Sequence, residues 1–100
     1  MEYSTNKEGD STAIFLKGRL TFADHEKFRK LLAEIGTQGT KNLVIDLKAL
    51  EAIDSVGLGL LMIARDDTEE RKGRFALRSP QGEVKRIFAI SKAEALFTIQ

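Results

Sequence analysis

Polar and apolar positions in the first part of the chain follow the two-residue period of β-strands. Residues 2–8 are polar with weak alternation and predict an edge strand. Gly9 and Asp10 are typical turn residues, and they are followed by the apolar run Ala13–Lys17, which ends at Gly18. This pattern predicts two short strands that pair as a hairpin.

The next segment changes to the spacing of an α-helix. Thr21 and Asp24 match the Thr-x-x-Asp start of a capped helix. Four apolar residues then recur on one helical face, namely Phe28, Leu31, Leu32 and Ile35. Gly36 is expected to end this helix, because glycine is common just after the last helical turn.

The middle and the end of the chain contain further strand and helix signals. The run Leu43–Leu47 is apolar at nearly every position, which is typical of a central strand covered on both faces. Another strand is expected at Phe75–Leu77. Ser79 and Pro80 are expected to start a third helix, since Pro favours the first helical position. The apolar residues of that helix are Val84, Ile87, Phe88 and Ile90. The segment Leu96–Ile99 predicts a final short strand or a tail packed on the core.

A second helix departs from the amphipathic pattern. It is expected to run from about Ser55 to about Lys72, and Gly73 is expected to stop it. Its first half is apolar nearly all round, with one stripe formed by Val56, Leu60, Ile63 and Ala64. Two interpretations stay open for the remaining apolar residues. This end of the helix is simply buried, or Leu58 and Met62 stay partly exposed and contact a partner protein.

The elements occur in the order β-β-α-β-α-β-α, with a further β if residues 96–99 extend the sheet. Strands that alternate with helices imply βαβ units with right-handed crossovers. We therefore expect one α/β domain over residues 1–100, with helices packed on a mixed sheet of about four to five strands. A chain of 100 residues with 42% hydrophobic residues is sufficient for one compact core.

Charge and composition exclude several classes of function. The net charge of +1 gives no general attraction to nucleic acid or to an anionic membrane, so direct binding to nucleic acid is not expected. The chain has no cysteine and hence no disulfide or thiolate metal site. The longest apolar stretch, Leu58–Ala64, is too short to span a bilayer, and residues 1–8 do not resemble a signal peptide. We expect a soluble protein of the cytoplasm.

The segment Asp54–Gly59 joins the central strand to the second helix, at the usual functional location of an open α/β sheet. Ser55 has a purely structural interpretation as the N-cap of the helix. The same free N–H groups and the positive end of the helix dipole also suit a phosphate on Ser55. Gly57 and Gly59 lack side chains and would let a kinase or a partner backbone approach closely. Asp54 would orient Ser55 or accept hydrogen bonds from a partner.

Taken in order, these motifs resemble those of STAS domains, a family that includes bacterial anti-sigma-factor antagonists. The central match is Leu43–Leu47 followed by Ile53–Gly59. Gly18–Leu20 matches after the second strand, and Ser79–Pro80 with Val84–Phe88 matches before and within the last helix. The resemblance covers essentially the whole chain in order and spacing.

This resemblance implies a switch that exchanges partners when it is phosphorylated. In the family the Ser directly after the Asp, here Ser55, is phosphorylated by a GHKL-type serine kinase that is also the anti-sigma factor. The unmodified protein binds this kinase and frees the sigma factor, and a PP2C-type phosphatase resets the phosphoprotein. The chain would regulate transcription or another output, would not itself be an enzyme, and would need no cofactor or metal.

The resemblance also implies a partner-binding surface around Ser55 and the start of the first helix. Its residues are Asp54, Val56, Gly57, Leu58, Gly59, Met62, Thr21 and Asp24. Two of them depart from the family pattern. Val56 stands where Ser or Thr is frequent, so the motif has one hydroxyl, and Thr21 stands where Asp often follows Gly-x-Leu. The second departure bears on the choice of partner.

Other functions remain as alternatives at this point. A serine hydrolase would need a nucleophile elbow, whose first Gly is missing, and His25 is the only histidine. Asp46 and Asp54 near the end of a middle strand suggest a receiver domain, but the acidic pair that binds its metal is missing. A nucleotide-binding module is a further alternative, but the segment that contains Gly57 and Gly59 has no Lys of a phosphate-binding loop. The alternative that keeps the fold is a STAS interaction module, not phosphorylated, in a transporter or sensory complex.

Overall fold

Four strands form one mixed sheet in the order β1-β2-β3-β4 in the computed structural model, which describes residues 1–100. β1 (Glu2–Glu8) and β2 (Ser11–Leu20) pair antiparallel and confirm the predicted hairpin. β3 (Asn42–Ile53) pairs parallel with β2, and β4 (Phe75–Arg78) pairs parallel with β3. The order of elements is the predicted β-β-α-β-α-β-α.

The two central strands are longer than the sequence pattern indicated. β2 does not end at Gly18 but continues to Leu20, because Gly18 adopts a φ of 87° at a shift in the β2–β3 register. β3 continues beyond Leu47 as far as Ile53, which pairs with Leu20. The extra length brings the end of β3 beside the end of β2.

Three helices follow the strands. A 3-10 turn (Phe22–Asp24) leads into α1 (His25–Thr37), so Gly36 lies inside the helix and does not end it. α2 (Ser55–Glu70) ends two residues before the predicted Lys72, and α3 is the last helix (Gly82–Ser91). The predicted inward face of α1 is confirmed, since its four apolar residues Phe28, Leu31, Leu32 and Ile35 are all buried. None of the helices combines the length and the apolar character that a membrane-spanning helix needs.

The hydrophobic core lies on one face of the sheet only. Ile45 and Leu47 of β3 are fully buried, whereas Val44 and Asp46, which point to the other face, are half-exposed. The prediction that the central strand is covered on both faces was therefore wrong. The helices pack on one face, where residues from β2, β3 and all three helices join a single core cluster.

The start of α3 also differs from the prediction. Ser79 and Pro80 do not begin the helix, whose N-cap is Gln81. The Ser79 N–H instead donates to the carbonyl of Gln100 at 3.1 Å, and Ser79 has a φ of 56°, which is not helical. A contact with the far end of the chain thus delays the helix to Gly82.

The last residues of the chain pair briefly with β4 and also pack on the core. Residues 96–99 do not form a strand of their own, but Ile99 makes a bridge with Leu77, whose N–H donates to the Thr98 carbonyl at 2.8 Å and whose carbonyl accepts from the Gln100 N–H at 2.8 Å. The Phe97 ring lies 6.2 Å from the ring of Phe88 and fills the core beside α3. Ile90, expected on the inner face of this helix, is instead 66% exposed.

Candidate functional site

The N-terminus of α2 is capped by Asp54 and not by Ser55. Asp54 has an extended backbone, and its Oδ1 accepts a hydrogen bond of 2.7 Å from the Gly57 N–H. Ser55 is the first residue of the helix itself. The interpretation of Ser55 as the N-cap was therefore wrong. A carboxylate one residue earlier reaches the same free N–H and interacts favourably with the helix dipole.

The second oxygen of Asp54 ties α2 to the turn before α1. Asp54 Oδ2 accepts a hydrogen bond of 3.2 Å from the Phe22 N–H. The Asp54 N–H donates to the Leu20 carbonyl at 3.3 Å, at the end of β2. One side chain and its own amide thus hold three elements together at the carboxyl edge of the sheet.

Ser55 is exposed and takes no part in these capping bonds. The buried residues of α2 are Gly57, Leu60, Leu61, Ala64 and Thr68. At about 100° per residue, Ser55 points to the opposite side of the helix. Its hydroxyl is consequently open to solvent on a helix start that is already fixed by its neighbour.

Gly57 is buried against the end of β2. A Cβ placed on this residue would lie 2.2 Å from the Leu20 carbonyl oxygen and 2.7 Å from Ile53 Cγ1. Real Cβ atoms do not approach other atoms this closely, so only glycine lets α2 start here. The expectation that a partner backbone could approach closely at Gly57 was therefore wrong, because the backbone of β2 already occupies that space.

Gly59 is different, although it lies only two residues further along the helix. A Cβ there would have no neighbour within 4 Å, and the residue is half-exposed. The two glycines of the motif therefore have separate roles. One allows the helix to pack, and the other leaves open space on the outer side of the helix.

The apolar end of α2 is partly buried and partly exposed. Leu61 is completely buried, whereas Leu58 and Met62 pack against the core and remain half-exposed. Val56 is half-exposed as well. A partly exposed apolar surface therefore lies beside Ser55.

Thr21 and Asp24 shape the turn that carries Phe22. The Thr21 N–H and hydroxyl donate to Asp24 Oδ2 at 3.0 and 3.4 Å. The capped start predicted from Thr21 and Asp24 is confirmed as a capping box, which caps the 3-10 turn that leads into α1. Asp24 Oδ1 accepts a hydrogen bond of 2.6 Å from the amine of Met1. Burial alone would raise the pKa of Asp24, but the charge and hydrogen bond of that amine and the bonds from Thr21 lower the pKa below its ordinary value.

Phe22 lies at the candidate site and was not predicted from the sequence. Its side chain is 73% exposed, more than any other large hydrophobic residue of the chain, and its N–H binds Asp54. A signal was present, because Phe22 is an apolar residue between two capping residues and outside the buried face of α1. Exposed aromatic residues of this kind are enriched in protein interfaces.

The residues that suggested the alternative functions lie outside this site. Asp46 forms an ion pair of 2.8 Å with Arg78, whose guanidinium stacks on the Phe15 ring on the helix-free face of the sheet. His25 is exposed at the start of α1. The structure contains no group of three His, Cys, Asp or Glu side chains arranged to hold a metal ion.

Comparison with known proteins places this geometry in a family. The family model of the STAS domain matches residues 3–100. This chain belongs to the STAS domain family. A STAS-domain containing protein of Pseudomonas aeruginosa is 32% identical over 92 residues, which are 92% of this chain and 90% of that protein.

Solved structures share the STAS fold at lower identity. A Thermotoga maritima protein proposed to be an anti-sigma factor antagonist matches with a TM-score of 0.86 and 21% identity, over 97% of this chain and 84% of that one. The anti-sigma factor antagonist SpoIIAA of Bacillus, in its unphosphorylated form, matches with a TM-score of 0.77 and 24% identity, over 99% and 88%. SpoIIAA is also known in a phosphorylated form with the same fold.

Proposed function

We propose that this STAS domain is an anti-sigma factor antagonist that binds a serine kinase when unmodified and is released when Ser55 is phosphorylated. The observation that carries the proposal is the division of roles at the start of α2. Asp54 makes the capping bonds, so the exposed Ser55 hydroxyl can be modified without removing the cap. The solved relatives that are named as anti-sigma factor antagonists support this assignment.

The charge of a phosphate gives a physical reason for release. Phosphorylation adds about −1.5 to −2 charges at neutral pH, here next to the Asp54 carboxylate and the half-exposed Leu58 and Met62. A partner that covers this surface would have to remove water from a dianion, which is strongly unfavourable unless new cationic partners compensate it. The modified protein therefore dissociates.

The binding surface in this proposal consists of the outer side of α2 and the turn before α1. On α2 it includes Asp54, Val56, Leu58, Gly59 and Met62, and on the turn it includes Thr21, Phe22 and Asp24. Hydrogen bonds from the turn to Asp54 fix the two parts relative to each other. Preorganisation of this kind reduces the ordering cost of binding.

The partners follow from the same proposal. The kinase is of the GHKL type and also acts as the anti-sigma factor, and a PP2C-type phosphatase removes the phosphate from Ser55. Both act in the cytoplasm, where the released sigma factor or another output protein becomes active. The chain serves as their substrate and ligand and performs no catalysis of its own.

Incubation with a purified GHKL-type serine kinase, ATP and Mg²⁺ tests the proposal. Intact-mass analysis should show one added phosphate on the wild type and on Ser4→Ala, a control in which another exposed serine is removed. Ser55→Ala should remain unmodified. Equal phosphorylation of Ser55→Ala and wild type would overturn the assignment.

A further inference from the structure

The helical position of Gly59 has no explanation within the chain. A Cβ would meet no atom within 4 Å there, and the residue does not have the positive φ that favours glycine. Glycine is nevertheless among the least favourable residues in the interior of a helix. The fold would therefore be more stable with alanine at this position, so packing and backbone geometry do not account for the glycine.

Gly59 lies one helical turn after Ser55 on the same side of α2. Residues four apart in a helix are surface neighbours, and this side is opposite to the buried Leu60 and Ala64. The half-exposed Met62 and Ile63, three and four residues further on, border the position. The missing side chain thus leaves the helix backbone uncovered at this position, between these apolar side chains and Ser55.

We propose that the main chain of the kinase packs against the uncovered backbone at Gly59, so that Gly59 sets how closely the kinase approaches Ser55. The inference rests on the proposed function, because a kinase active site that reaches the Ser55 hydroxyl must cover the residue one turn away on the same face. A Cβ would add a group about 1.5 Å from the backbone. A displacement of about 1 Å at a reacting centre can reduce the rate by about 100-fold.

Gly36 provides a matched control for the helical effect of alanine. It lies within α1, and a Cβ there would make an ordinary contact of 3.7 Å with Arg71 Nη1. Gly36→Ala should therefore alter helix stability without touching the surface around Ser55. Gly57 cannot serve this purpose, because a side chain there collides with Leu20.

The experiment compares wild type, Gly59→Ala and Gly36→Ala in three measurements. These are urea unfolding, the affinity of the unmodified chain for the kinase measured by titration, and kcat/KM for phosphorylation of Ser55. Gly59→Ala should unfold at higher urea concentration than wild type, yet bind the kinase and be phosphorylated at least about tenfold less well, equivalent to about 1.4 kcal/mol. Gly36→Ala should bind and react as wild type.

Each contrary outcome has a distinct meaning. If the wild type is phosphorylated at Ser55 and Gly59→Ala binds and reacts equally well, this inference is overturned while the proposed function stands. A Gly59→Ala variant less stable than wild type overturns it as well, because the glycine would then serve the fold. If Gly36→Ala loses as much binding as Gly59→Ala, the loss comes from a change in helix stability, and the inference is overturned too. Absence of any Ser55 phosphorylation in the wild type overturns both proposals.

Discussion

Asp54 and Ser55 are adjacent in the sequence, but they differ in their contacts at the start of α2. Asp54 uses both carboxylate oxygens for backbone N–H groups, one in its own helix and one in the turn that carries Phe22. Ser55 makes neither of these bonds and is exposed. At the scale of single residues, the capping bonds and the proposed modification therefore belong to neighbouring side chains.

Replacement of Asp54 tests its structural role. Asp54→Ala removes the N-cap bond to Gly57 and the bond from Phe22, and should lower the free energy of unfolding by about 1–2 kcal/mol. Asp54→Asn keeps an acceptor oxygen and should lose less. Urea unfolding at neutral pH measures both values, and an Asp54→Ala variant as stable as wild type would contradict the cap.

Asp24 gives a prediction for the dependence of stability on pH. Its pKa is lower in the folded chain than the usual value of 3.8, because the amine of Met1 and Thr21 outweigh the effect of burial. A carboxylate with a depressed pKa stabilises the fold above its unfolded pKa, and this contribution is lost as the pH falls through the folded pKa. Wild type should exceed Asp24→Asn in stability at pH 7, and the difference should shrink below about pH 4.

Urea unfolding of both proteins between about pH 2.5 and pH 7 provides this measurement, with closely spaced pH values around the ordinary Asp pKa of 3.8. Glu51→Gln is a suitable control, since Glu51 is an exposed carboxylate in β3 that takes no part in the ion pair between Met1 and Asp24. A stability difference between wild type and Asp24→Asn that persists unchanged at the lowest pH would contradict the role given to the Asp24 charge.

At the scale of elements, the site depends on where α2 meets the ends of β2 and β3. The pairing of Leu20 with Ile53 brings both strand ends together, and Gly57 lets the helix start directly on them. The direction in which Ser55 points follows from this contact. A helix that started further from the sheet would lose the two backbone bonds through Asp54.

The close approach at Gly57 predicts a large effect of one methyl group. Gly57→Ala places a Cβ 2.2 Å from the Leu20 carbonyl oxygen, so the helix must shift. We expect a loss of about 1–3 kcal/mol in the free energy of unfolding, typical of overpacking. Urea unfolding of Gly57→Ala and Gly36→Ala, compared with wild type, distinguishes this strain from the general increase in helix stability that alanine gives over glycine. A Gly57→Ala variant as stable as Gly36→Ala would show that the two elements are not so tightly packed.

Local sequence signals predicted the elements whose form depends on neighbouring residues. The hairpin, the buried face of α1 and the capping box at Thr21 and Asp24 all follow from short-range periodicity and turn chemistry. The start of α3 could not be predicted in this way. It depends on a hydrogen bond between Ser79 and Gln100, which are far apart in the sequence.

The same distinction applies to the site. The motif indicated Ser55 and its neighbours, but it could not separate Gly57 from Gly59, because their roles depend on the position of the Leu20 carbonyl. It also could not show that Phe22 lies beside Asp54, 32 residues away in the sequence. Residue types were predictable from the sequence, and their roles required the packing of α2 on the sheet.

At the scale of the whole molecule, the core and the candidate binding surface occupy different parts of the fold. The helices bury one face of the sheet, and the other face carries the Asp46–Arg78 ion pair with Phe15. The proposed surface is the edge where the turn before α1 meets α2. Phe22 extends this surface away from the helix, so a partner that covers Ser55 can also cover this ring.

Removal of the Phe22 ring should therefore affect binding more than folding. Phe22→Ala should weaken the complex with the kinase by at least about tenfold, as expected for an exposed aromatic anchor, and leave the unfolding midpoint nearly unchanged. Phe15→Ala removes a ring from the helix-free face and serves as the control, with unchanged affinity expected. Equal affinity of Phe22→Ala and wild type would place the partner elsewhere on the molecule.

The central claim is that one phosphate on Ser55 separates the chain from its kinase. Titration calorimetry with the unmodified chain and with the chain phosphorylated at Ser55 tests it most directly, using the kinase in the presence of a non-hydrolysable ATP analogue. We expect the kinase to bind the unmodified form and to bind the phosphorylated form at least about 100-fold, or about 2.7 kcal/mol, more weakly. Equal affinities of the two forms would mean that phosphorylation does not release the kinase and would indicate an interaction module that phosphorylation does not control.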